Sequence, residues 1–83
     1  MEWIYAKGIP IEAQILYRKA LNLSNRGDDE TALKYFRQVV IIAPRYSIAF
    51  FEMGNCLARL GRLDEAREKY QKATRVGSGS PPP

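Results

Sequence analysis

A shift of thirty-four residues lays the first half of this 83-residue chain onto the second with size class preserved. Leu16 falls on Phe50, Ala20 on Gly54, Leu23 on Leu57 and Gly27 on Gly61. Ala32 falls on Ala66, Phe36 on Tyr70 and Val39 on Ala73. A repeat of this length is the signature of stacked helix pairs, because one pair cannot bury its apolar face alone and covers it with its neighbour. The repeat constrains the fold more than any composition value does.

The local pattern agrees with that reading. Between Ile11 and Val76 strand alternation is scarce, and apolar residues recur at steps of three and four, as in Ile15, Leu16, Ala20 and Leu23, then Ala32, Leu33, Phe36, Val39 and Val40. Gly27 followed by Asp28, Asp29 and Glu30 reads as a helix end and then an N-cap with acid in the first turn; Gly61 followed by Asp64 and Glu65 repeats it. Pro44 stops the second pattern and Gly77 the fourth. The spacing predicts helices at about 11–26, 29–42, 46–60 and 63–75. The tail from Gly77 to Pro83 has linker and polyproline composition and falls outside the predicted fold.

Composition removes most chemistry. Histidine is absent and Cys56 is the one cysteine, so Cys-His zinc sites, a Ser-His-Asp arrangement and an intramolecular disulfide are all ruled out. Asp28-Asp29-Glu30 lacks the spaced oxygen ligands of a calcium loop and suits a helix N-terminus, so no metal and no cofactor are expected. Cys56 is expected between helices, buried and inert. The chain has no catalytic set. No run reaches the roughly 18 apolar residues of a membrane span, and Met1–Pro10 is a poor signal peptide, so no membrane association is expected and the cytoplasm is the default location. The net charge of +4 permits an acidic or nucleic-acid partner without requiring one. The pairs Glu30–Lys34, Glu65–Lys69 and Glu68–Lys72 stand four apart in the favourable order and would answer several cations locally.

These residues resemble the tetratricopeptide repeat family, whose pattern is W-x2-L-G-x2-Y, then A-x3-F, then P. The second unit carries it as Phe50, Met53, Gly54, Leu57, Gly61, Ala66, Tyr70 and Ala73, with Ser78 in the proline's place. The first carries it as Leu16, Ala20, Leu23, Gly27, Ala32, Phe36, Val39 and Pro44, with Lys19 in an apolar slot, where it either snorkels or lies on an exposed face near the N-terminal end. The resemblance implies an all-α fold of two stacked antiparallel helix-turn-helix repeats, a right-handed solenoid with about four main helices. The units would span 13–46 and 47–80 within a domain of residues 11–76, and 77–83 would be the tail. In the same register Pro10 stands where an earlier unit's proline would, so residues 1–10 are a stub of a preceding second helix, or a cap in which Trp3, Ile4 and Tyr5 fold back. Arg67, Thr74 and Arg75 stand where the first unit has Leu33, Val40 and Ile41, a polar face suited to closing a stack.

Repeats of this kind resemble scaffolds that take a peptide in a concave groove lined by the first helix of each pair. The matching places are Gln14, Tyr17, Leu21, Ser24 and Asn25, then Ile48, Phe51, Asn55, Ala58 and Arg59, with Arg18 and Arg59 as orienting charges. Tyr17, Leu21, Ile48 and Phe51 would form an exposed apolar patch, and Asn55 would offer its amide to a peptide backbone. The carboxylate clamp that grips acidic chaperone tails is not expected, since Tyr17 and Leu21 replace its polar residues and only Asn55 matches. The implied function is non-catalytic binding of a protein or peptide. Two alternatives stay open: self-assembly into a homodimer or superhelical stack, and binding of single-stranded RNA by Tyr and Phe beside Arg18 and Arg59.

Overall fold

The computed structural model describes Ile4–Tyr5 and residues 8–78, with Ile4, Tyr5 and Ser78 described by backbone alone. Four helices follow a short hairpin: α1 (Ile11–Asn25), α2 (Asp29–Ile42), α3 (Ser47–Arg59) and α4 (Leu63–Ser78). In the hairpin, β1 (Ile4–Tyr5) runs antiparallel to β2 (Ile9–Pro10), with Ile4 opposite Pro10 and Tyr5 opposite Ile9, and the chain turns through Gly8 at a φ of 91°. Ile4–Tyr5 are therefore strand, not the helical stub that the register suggested. Trp3 as a cap, and the tail beyond Ser78, lie outside the described residues.

The turns inside the two units are copies of one another. Gly27 and Gly61, thirty-four apart, both take a positive φ, 88° and 81°. Asp28 N–H then donates back to Leu23 O at 2.9 Å and Arg62 N–H to Leu57 O at 2.8 Å, closing each first helix with orphan carbonyls satisfied. Asp28 also caps α2 by accepting from the Thr31 N–H at 3.3 Å, and Asp29 and Glu30 complement the positive end of that helix. Gly77 does not end the last helix as expected. It lies within α4, where glycine weakens a helix but does not forbid it.

Helix α1 packs on α2, α3 on α4, and α2 on α3, so each element touches its neighbours in order. The core runs through that stack. Phe36, Leu33, Met53, Leu57, Val39 and Cys56 are its largest fully buried side chains, with Ala20, Ala32 and Ala66 buried where helices approach closely. Gly54 is required at its crossing: a Cβ there would stand 2.6 Å from Cε1 of Tyr70. Of the motif residues, Phe50, Met53 and Leu57 are buried, Leu16, Leu23, Tyr70 and Ala73 are half-buried, and Lys19 is exposed with its ammonium 5.1 Å from the Tyr35 ring centroid. The ion pairs among the described residues are Arg59–Asp29 and Arg62–Glu65. The expected pairs four apart are not formed there. Glu65 is taken by Arg62 one turn before it, and Lys72 lies over the Phe50 ring at 5.5 Å instead.

Candidate partner-binding face

Helix α1 packs on α2 and α2 on α3, and side chains at two places tie the first helices of the units into that stack. At one end the Tyr17 ring packs between Phe36 and Tyr46, with centroid separations of 5.7 and 5.1 Å. Burial, then the Glu52 carboxylate and Tyr46, push the Tyr17 phenol up to about 12, so it stays a neutral hydroxyl at any ordinary pH. Leu21 is also half-buried, packed against the main core. These two residues are therefore not part of an open apolar patch. Tyr46, in the connection between the units, supplies the cover that thirty-four-residue matching did not reveal.

At the other end lies a polar knot. Arg59 Nε donates to both carboxylate oxygens of Asp29 at 3.1 Å, and its Nη2 donates to Asp29 Oδ1 at 3.0 Å and to Ser24 Oγ at 2.5 Å. Ser24 Oγ in turn donates to Asp29 Oδ1 at 3.2 Å. The knot joins the end of α1, the start of α2 and the end of α3. Those hydrogen bonds from Arg59 hold the Asp29 carboxyl below its ordinary value and raise the guanidinium further. Cys56 lies beneath, its thiol pushed up by burial, so it remains a protonated, inert sulfur. Arg59 is thus tied by its neighbour and not a free cation. The partner is Asp29, thirty residues away, a contact that helical spacing alone does not indicate.

Between these ends α3 presents the exposed part of the face. Ile48 and Phe51 leave 42% and 45% of their surface to solvent. The Phe51 ring packs at 5.5 Å against Tyr70, whose hydroxyl donates to Asn55 Oδ1 at 2.6 Å. Asn55 Nδ2 makes a long contact of 3.4 Å to Glu52 Oε1, so its carbonyl oxygen is engaged and its amino group is only weakly held. Gly54 is what lets Tyr70 come close enough for that bond. Gln14 donates to Ile9 O at 2.9 Å and fastens the hairpin, whereas Arg18 and Asn25 are exposed. Arg18 instead joins Ile11, Gln14 and Ile15 in lining a shallow open hollow.

Two helix pairs, matching glycine turns and small residues at the crossings are the marks by which a repeat family is known. The family model described as tetratricopeptide repeat matches residues 3–81. The chain belongs to the tetratricopeptide repeat family. It is also similar to an uncharacterized protein, MJ0572, of Methanocaldococcus jannaschii, with 37% identity over 65 residues that cover 78% of this chain and 76% of that protein. Tetratricopeptide repeats generally mediate protein–protein interaction and typically serve as non-catalytic scaffolds. Among the described residues no group of three or more Cys, Asp or Glu side chains is placed to hold a metal ion, and no helix is long and apolar enough to cross a membrane.

Proposed function

We propose that this tetratricopeptide repeat domain binds an apolar segment of a partner protein along the face of α1 and α3, without catalysis. The observation that carries the reading is the exposure of Ile48 and Phe51 on α3 beside the anchored Tyr70–Asn55 pair. Large apolar side chains left open next to fixed polar groups are characteristic of interaction surfaces. Phe51 is held in orientation by Tyr70, so little freedom is lost when a ligand covers it. The Asn55 amino group supplies a donor for a backbone carbonyl, and Arg18 and Asn25 supply polar contacts at the margins. Since Asp29 neutralises Arg59, the face favours apolar and uncharged segments over acidic tails.

A peptide selected from a random display library against the folded chain tests this. Phe51→Glu should lower its affinity at least about tenfold, as loss of an aromatic anchor does, while Leu63→Glu, on the exposed start of α4, should leave it unchanged. Equal binding by the wild type and Phe51→Glu would sink the proposal.

A further inference from the structure

The two units differ in burial at matching places, and the differences map the surfaces that the fold uses for stacking. Ile15 is 60% exposed where Ala49 is fully buried; Leu16 is half-buried where Phe50 is buried; Lys19 is exposed where Met53 is buried. Ala49, Phe50 and Met53 are covered because α2 packs on α3: Ala49 clusters with Val39 and Ala43, and Phe50 and Met53 cluster with Leu33 and Phe36. The Ile15–Leu16–Lys19 face of α1 is therefore the same receiving face, with no helix on it among the described residues. The side of α4 that would fill it in a second copy is known by the same matching. Arg67 stands for Leu33 and Thr74 for Val40, and both are exposed. A copy stacked head to tail would set Arg67 in the place of Leu33 and Lys19 in the place of Met53, two residues of one core cluster. Two cations would be brought into a region that the interior builds from leucine and methionine, and like charges in such a place oppose association strongly.

We infer that the face of α1 bearing Ile15, Leu16 and Lys19 receives an α-helix of another protein that sets a carboxylate against Lys19, and that the pairing of Lys19 with Arg67 keeps this chain from stacking on itself. Ile15 and Leu16 supply burial, and Lys19, with the exposed Arg18 beside Ile15, selects a carboxylate-bearing partner. Lys19 already lies over Tyr35, so its charge is held at the face and not dispersed in solvent.

The chain itself provides the probe, because Arg67→Glu turns the far side of a second copy into a helix with a carboxylate at that place. Sedimentation from micromolar to millimolar concentration should find the wild type at the mass of one chain. The average mass of Arg67→Glu should rise about twofold or more, since a head-to-tail contact does not close. Lys19→Glu, which creates the opposite pairing, should also associate, and serves if Arg67→Glu loses helicity by circular dichroism. The double variant should return to one chain. Single-chain mass for both folded variants at every concentration would overturn the inference, as would a wild type that grows equally. Growth seen only after removal of Met1–Trp3 would overturn it too, assigning the face to the chain's own N-terminus.

Discussion

Tyr17 and Phe51 hold the same place in their units, yet Tyr17 is half-buried between Phe36 and Tyr46 while Phe51 leaves nearly half its surface open. Phe36 and Tyr70 differ in the same direction: Phe36 is fully buried and Tyr70 only half. On the opposite side of the stack the order reverses, with Met53 buried and Lys19 exposed. Matching residues thus share a role in shape, but the neighbouring unit decides whether they meet protein or water. What the first unit turns into core, the second leaves exposed. Phe51 is the clearest product of that difference.

Four substitutions would break or sharpen the contrast. The largest effect belongs to Phe36→Ala, expected to cost about 3–5 kcal/mol by deletion of a fully buried ring, whereas Tyr70→Ala should cost less because the partly exposed ring removes less area from water. Chemical denaturation of the pair checks the order, and equal losses would show that the units are energetically alike. Next comes Gly54→Ala, whose added Cβ overlaps Tyr70 and should cost about 1–3 kcal/mol. It should also displace the Tyr70–Asn55 bond, so the loss in stability should come with weaker peptide binding. The smallest is Asp29→Asn, about 1–2 kcal/mol near neutrality, reduced from a fully buried pair because half of the Arg59 side chain is exposed. Its pH dependence carries the sign. Asp29 titrates below its ordinary value of 3.8 in the folded chain, so its contribution is complete above that value and lost as pH falls through the folded one. The gap between wild type and Asp29→Asn should therefore close in acid, and a gap that stayed constant would deny the Arg59 bond its role.

Much of this architecture is legible without coordinates. Positive-φ glycines at Gly27 and Gly61 and the acidic caps after them make the helix ends readable to within three residues, and the thirty-four-residue match predicts that Ala20, Ala32 and Ala66 sit at crossings. The hairpin at Ile4–Tyr5 and Ile9–Pro10 is not legible, since two-residue strands are too short to show alternation. Nor is the passage of α4 through Gly77, because a glycine near a helix end reads equally as a stop. At the binding face the register indicates which residues point the same way but not what covers them. It groups Tyr17 and Leu21 with Ile48 and Phe51, while Tyr46 covers Tyr17 and the main core takes up Leu21. It also left Arg59 free, whereas Asp29 and Ser24 hold it through contacts between units.

The proposed binding requires α3 to be the working surface of the face. Amide chemical-shift mapping of the labelled chain, titrated with a library-selected peptide, tests that most directly. Shifts concentrated at Ile48, Phe51 and Asn55, with Ile41 and Leu63 unmoved, are the predicted result. Shifts that cluster on Ile41 and Leu63 and leave Phe51 unmoved would contradict it.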